Sequence, residues 1–116
     1  MVICVNKCIF CAIAKGEAAA EVLYRDDSVM AFRDRYPQAP DHLLIIPLRH
    51  VSSASEMDDP ELWGKIMSLA VRLGHDLGLE RQGYRLIINN GVQACQTIPH
   101  LHVHLMSGRQ FGWPPG

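Results

Sequence analysis

The sequence has no long apolar run, no excess of charge of either sign and no internal repeat, and no export signal is expected. No stretch approaches the ~20 apolar residues that cross a bilayer as a helix, so no membrane role is expected. Lys and Arg number 11 against 12 Asp and Glu, a formal net charge of −1. That leaves no bulk field to draw in nucleic acid or an anionic membrane surface. The apolar opening Met1-Val2-Ile3-Cys4-Val5 is cut by Asn6-Lys7, too short for a signal peptide. Four cysteines could form two disulfides in a secreted chain. Without an export signal, a reducing, cytoplasmic setting is expected, with the cysteines as thiols or metal ligands. With 48% hydrophobic and 20% charged residues, the 116 residues read as one globular domain spanning 1–116.

What is present is concentrated near the C-terminus. In Thr97-Ile98-Pro99-His100-Leu101-His102-Val103-His104-Leu105-Met106, three of the six histidines recur at two-residue spacing. Successive side chains of an extended strand point to opposite faces, so the imidazoles line one face. Leu101, Val103 and Leu105 line the other, which asks for a core, whereas the imidazole face asks for an anionic or metallic ligand. A helix would scatter the same residues around its circumference.

The rest of the chain is read around that strand. Cys8 to Gly16 reads as a short helical turn closed by glycine. Val22–Arg25 and Val29–Phe32 flank Asp26-Asp27-Ser28 as a hairpin, and His42–Pro47 reads as a central strand covered on both faces. Residues 60–77 form the one long helix, capped by Asp58 or Asp59, started by Pro60 and stopped by Gly78. Leu62, Ile66, Leu69, Leu73 and Leu77 make its apolar stripe, widened by Trp63, Met67 and Ala70. Tyr84–Asn89 is the next strand, and a loop over 90–97 leads to the histidines. The expected class is α+β: five short, mostly antiparallel strands with the long helix against one face. The closing Trp113-Pro114-Pro115-Gly116 can be neither helix nor central strand, and an apolar aromatic there suggests a partner surface that receives it. His42 reads as a strand-start residue, His75 as a helix-face residue, and Cys4 and Cys95 as small buried or loop thiols. Cys8-x-x-Cys11 has the spacing of half a tetrahedral zinc site.

The run His100-Leu101-His102-Val103-His104-Leu105-Met106 resembles the signature of the histidine triad family, in which histidines alternate with apolar residues. The resemblance spans nearly the whole chain. Cys8-Ile9-Phe10-Cys11, Ala31-Phe32-Arg33-Asp34, Pro37-Gln38-Ala39-Pro40, Ile45-Ile46-Pro47 and His50 fall in family order. So do Asp76-Leu77-Gly78-Leu79, Gly83-Tyr84-Arg85, Asn89, Gln96-Thr97, Gly108-Arg109-Gln110 and the Trp113-Pro114-Pro115-Gly116 ending. The likeness is greatest to the Hint branch of nucleotide-binding phosphoramidases.

That resemblance implies a homodimer with paired sheets that hydrolyses nucleoside 5′-monophosphates, AMP or GMP derivatives, bearing an amine or similar leaving group. It implies the triad His100, His102 and His104 as the catalytic set, with His102 the nucleophile at the α-phosphorus and His104 on the phosphate. Asn89, Gln96 and Thr97 would lie around the phosphate, and Asp34 would take the ribose hydroxyls. Ile9, Phe10, Ile13 and Phe32 match the wall of the base pocket, though each alone reads equally well as core. Trp113, in a tail over 108–116, matches the position that reaches the partner's site. The resemblance also completes Cys8 and Cys11 with His50 and His100 as a closed, structural zinc site, with no organic cofactor. Three departures stand out: Ala94-Cys95 where the family has Gly-Gly, Arg35 where an apolar residue follows the ribose-binding Asp, and Pro99 before the triad. Two other readings remain: a non-catalytic nucleotide-binding scaffold, and a zinc hydrolase using His102 and His104, for which no third, carboxylate ligand is evident near the strand.

Overall fold

Residues 7–116 are described in a computed structural model of the chain; Cys4 lies outside them. Two helices and five strands follow in the order α1 (Ile9–Ala14), β1 (Val22–Arg25), β2 (Val29–Arg33), β3 (Asp41–Pro47), α2 (Pro60–Asp76), β4 (Tyr84–Ile87) and β5 (Val103–Ser107). The strands form one sheet in the order β1-β2-β3-β5-β4, and all four pairings are antiparallel.

Local chemistry sets the long helix. Asp59 Oδ1 accepts the Glu61 and Leu62 backbone N–H groups at 3.0 and 3.1 Å, satisfying two orphan donors. Pro60 occupies the first turn, where its missing N–H costs nothing, and Gly78 turns the chain out at φ +71°. Leu62, Ile66, Leu69, Ala70 and Leu73 are buried, as the apolar stripe requires. Leu77 departs from the stripe. It is the C-cap residue and 40% exposed, because the helix has ended before that face returns to the sheet.

The sheet is covered on both faces, and strand parity decides what goes where. Val29, Ala31, Leu43, Ile45, Leu101, Val103 and Leu105 pack into one core with the α2 stripe. Met30, Phe32, Leu44, Ile46 and Leu48 form a second core with Phe10, Ile13 and Ala14 of α1. Thus the short helix covers the face opposite the long one, which accounts for the continuous apolar run of β3. Only Val103–Ser107 is strand proper, yet the alternation extends back through Leu101, whose N–H donates to Val51 O at 2.6 Å. The strand at 84–89 is shorter than the sequence suggests, ending at Ile87.

Two substitutions check this account. Ile66→Ala, at a site with no exposure, should cost about 2–5 kcal/mol of unfolding free energy. Asp59→Ala should cost only about 1 kcal/mol through the lost cap. Urea denaturation of both variants measures the difference.

Candidate active site

The imidazoles end up on the α1 face of the sheet because Leu101, Val103 and Leu105 take the α2 face. The β3–β5 register pairs Leu44 with His104 and His42 with Met106, so His42 lies diagonally beside His104 on that same face. A cavity of about 890 Å³ opens there, within the usual size range of small-molecule sites. Ile9, Phe10, Ile13 and Phe32 give it an apolar wall, and Asp34, Thr97, His102 and His104 supply polar groups.

The hydrogen bonds assign the imidazole protons. His102 Nδ1 lies 2.7 Å from His100 O, and a carbonyl can only accept, so Nδ1 carries hydrogen and Nε2 carries the lone pair. Phe10 packs edge-on against the His102 ring at 5.1 Å and steadies it. A second chain of bonds starts at Gln38, whose backbone N–H donates to His42 Nδ1 at 3.0 Å. His42 Nε2 must then carry the proton of a neutral ring, and it donates to His104 Nδ1 at 2.9 Å. His104 Nε2 is consequently an N–H. It is buried and has no hydrogen-bond partner among the described residues. A buried donor without an acceptor is costly, and this one belongs to a residue lining the cavity. An anionic oxygen there would satisfy it.

Burial keeps these rings neutral. It pushes His104 down to about 4, helped by His102 and His42 and opposed by the Asp34 charge. Burial likewise lowers His102, against its bond to the His100 carbonyl and against Asp34. His42 is also lowered, first by burial and then by His102, with Asp34 opposing.

His42 is therefore more than a strand-start residue: its side chain is 2% exposed and lies 3.3 Å from Asp34 Oδ2. Nothing local in the sequence marks this, since the contact depends on strand register and on the turn over 34–40. The same contact corrects the expectation that no carboxylate comes near the triad strand. Ligand atoms of Asp34, His42 and His104 all lie within 4.8 Å of one another. The proton assignment nevertheless disfavours a cation there, because the Gln38 N–H leaves His42 Nε2 protonated and without a lone pair.

The other cluster is different in kind. Cys8, Cys11, His50 and His100 also bring their ligand atoms within 4.8 Å. Cys8 Sγ–His100 Nδ1 and Cys11 Sγ–His50 Nδ1 are both 3.4 Å, and Cys11 Sγ–His100 Nδ1 is 3.6 Å. A tetrahedral site with Zn–S of about 2.3 Å and Zn–N of about 2.0–2.1 Å has S···N edges of about 3.5–3.6 Å. The donor set fits zinc. His100 Nε2 donates to Pro47 O at 2.9 Å, which leaves the Nδ1 lone pair directed at the two sulfurs. Among the described residues no disulfide competes for them, and Cys95 is an exposed loop residue.

Three expected site residues lie elsewhere. Gln96 does not line the cavity; its Nε2 donates to Ser52 O and Ile98 O, and its Oε1 accepts the Gly91 N–H. It braces the 91–97 loop, in which Cys95 takes the left-handed conformation (φ +62°) where glycine is usual. Asn89 also lies off the cavity lining. Trp113 is 84% exposed, on a tail tied back to β4 by the bond from Arg85 Nη2 to Gly112 O. Glu21, Arg35, Tyr36 and Ile98 are among the other residues lining the cavity, Arg35 donating to Ala19 O at 3.3 Å.

Comparison with known proteins gives a consistent picture. The family model described as the HIT domain matches residues 15–111. A maize protein named 14 kDa zinc-binding protein is 45% identical over 113 residues, covering 93% of this chain and 87% of the relative. A crystal structure of a HIT family hydrolase from Legionella pneumophila superposes with a TM-score of 0.91 at 45% identity, covering 95% of this chain and 100% of the other. A histidine triad nucleotide-binding protein from Candida albicans gives 0.82 at 31% identity, over 95% and 85% of the two chains.

Acid stability follows from the buried rings. An unfolded imidazole titrates near 6.5, whereas folded His104 titrates near 4. Between those values the unfolded chain binds the extra proton, so stability is full above about 6.5 and falls as the pH drops towards 4. His104→Gln should make that fall shallower. The change should be below the roughly 1.4 kcal/mol per pH unit of a fully desolvated group, since the ring faces an open cavity. Denaturant titrations in half-unit pH steps would measure it.

Proposed function

The chain belongs to the HIT family, and on that premise we propose that it is a nucleoside phosphoramidase, hydrolysing purine nucleoside 5′-monophosphates that carry an amine leaving group. The observation that supports this most directly is the pair of complementary nitrogens at one cavity, a lone pair on His102 Nε2 and a partnerless N–H on His104 Nε2. One suits attack on phosphorus, and the other suits a phosphoryl oxygen.

In this reading the base lies between Ile9, Phe10, Ile13 and Phe32, Asp34 takes the ribose diol, and Thr97 lies at the phosphate. His102 Nε2 attacks the α-phosphorus and the P–N bond breaks. Its electron pair leaves with the nitrogen, which takes a proton from solvent as the amine departs. The covalent nucleotidyl-histidine carries positive charge on the ring, and the His100 carbonyl bonded to Nδ1–H stabilises it. His104 Nε2–H holds the phosphoryl oxygen as charge builds there. Water then attacks phosphorus and gives a proton back to solvent, His102 Nε2 leaves with the electrons of the P–N bond, and the nucleoside monophosphate is released. Neutral imidazole suits this cycle, being nucleophilic near pH 7 without a strong base.

Zinc, when bound by Cys8, Cys11, His50 and His100, would act as a closed structural clasp with no open position for substrate. Those ligands join α1, the segment after β3 and the segment before β5. Phe10 lies on α1 between two of them, and the His100 carbonyl fixes the His102 tautomer. The clasp would therefore set both the base-pocket wall and the nucleophile. The exposed Trp113 is in keeping with a homodimer in which the tail reaches the partner's site.

Intact-mass spectrometry of the protein mixed with adenosine 5′-phosphoramidate and quenched within seconds should show a transient adenylyl adduct. His102→Ala should abolish both the adduct and AMP release. AMP release without dependence on His102 would refute the mechanism. For the metal, Cys8→Ser with Cys11→Ser should lose the zinc found by elemental analysis in the wild type. The double variant should also unfold at lower temperature and bind AMP more weakly, as thermal melts and calorimetry would record.

A further inference from the structure

Asp34 has contacts that ribose recognition does not require. Its backbone N–H donates to His42 O at 2.9 Å, which fixes its position at the end of β2. Its Oδ1 accepts the Tyr36 N–H at 2.9 Å, while Oδ2 lies 3.3 Å from His42 Nε2. An ionised carboxylate offers roughly four lone-pair directions. Tyr36 occupies one, and His42 Nε2 flanks Oδ2 without a hydrogen bond, so directions remain for the hydroxyls of a vicinal diol. The same carboxylate can thus face ribose and imidazole together.

The proton on His42 Nε2 is donated to His104 Nδ1 at 2.9 Å, and Asp34 Oδ2 lies 3.3 Å from the same nitrogen as a charge contact without a hydrogen bond. His42 is buried, so the neighbouring carboxylate acts on it with little screening by water. We propose that Asp34 is a positioning residue for the His42–His104 pair. Its charge, 3.3 Å from His42 Nε2, favours hydrogen on that nitrogen, which donates to His104 Nδ1 and keeps His104 Nε2–H turned into the cavity. Recognition of a ribose diol and alignment of the phosphate-facing imidazole then share one carboxylate. The consequence for turnover rests on the phosphoramidase reading above; the hydrogen-bond arrangement itself exists in the ligand-free protein.

Asp34→Asn provides the test. If the Asn carbonyl keeps the Tyr36 bond, its NH₂ faces the His42 N–H, so a donor meets a donor. Steady-state kinetics would compare adenosine 5′-phosphoramidate with its 2′,3′-dideoxy counterpart, in wild type and variant. The ¹⁵N shifts of the histidine rings would be recorded in both proteins without ligand. On the dideoxy substrate there is no diol contact to lose, yet the variant's kcat should still fall by about tenfold or more with KM little changed. The His42 and His104 ring shifts should also move. Equal turnover of the dideoxy substrate by both proteins, or unchanged ring shifts, would overturn the proposal and leave Asp34 a diol ligand alone. If wild type turns over neither substrate, the phosphoramidase reading fails by itself. The ring shifts then decide: moved shifts uphold the positioning role, unchanged shifts reject it. Should Asp34→Asn not fold, Asp34→Ala carries the same expectations.

Discussion

Everything at the site depends on the two-residue alternation from Leu101 to Leu105. Leu101, Val103 and Leu105 are essentially without exposure in the core shared with α2, so the interleaved imidazoles have only the other face available. A slip of one residue would send three apolar side chains into the cavity and three imidazoles under the helix. Each half of the pattern therefore enforces the other. Hydrophobic burial, at roughly 1.5–3 kcal/mol for each large apolar side chain, supplies the energy that fixes the register of the polar half.

Desolvation then does chemical work. The α1 face buries imidazoles that water would leave partly protonated at neutral pH, and their charged forms are disfavoured there. Neutral rings have one donor and one acceptor each, so hydrogen bonds become assignments of tautomer. Two backbone groups make those assignments, the His100 carbonyl for His102 and the Gln38 N–H for His42. The Gln38 carbonyl is held in turn by Arg109 Nε at 2.9 Å, so the start of the C-terminal tail braces the loop that sets the His42–His104 pair.

The Cys2His2 cluster and the cavity face meet in one residue. The His100 side chain belongs to the cluster whose geometry fits zinc, while its carbonyl accepts from His102 Nδ1. α1 is only six residues long, too short to be stable alone, and it holds its place through Phe10, Ile13 and Ala14 together with the two cysteines at its start. A metal at that cluster would make this short helix rigid from one end, as a pocket wall that hydrophobic contact alone would hold more loosely.

Much of this was legible in the sequence because it is encoded locally. Strand period, the Asp59-Pro60 start, the Gly78 stop and the hairpin at 26–28 follow from neighbouring residues. So does the division of residues 100–105 into an imidazole side and an apolar side. The Cys8–Cys11 spacing and the family-like motifs pointed to four donors that the fold does bring together, and to the apolar wall and polar groups of the cavity. What the sequence alone left undecided depends on residues distant in the chain that come together across the sheet. The Asp34–His42–His104 contact requires the antiparallel register of β3 on β5 and the turn over 34–40, neither of which a local pattern encodes. Gln96 turned out to brace a loop and Leu77 to face solvent, because where a helix ends and which carbonyls a loop presents are settled by packing. Residue types and periodicity determined which groups were available and which face they took. Only the tertiary structure decided which nitrogen carries each proton, because that depends on the single donor or acceptor the folded backbone places opposite it.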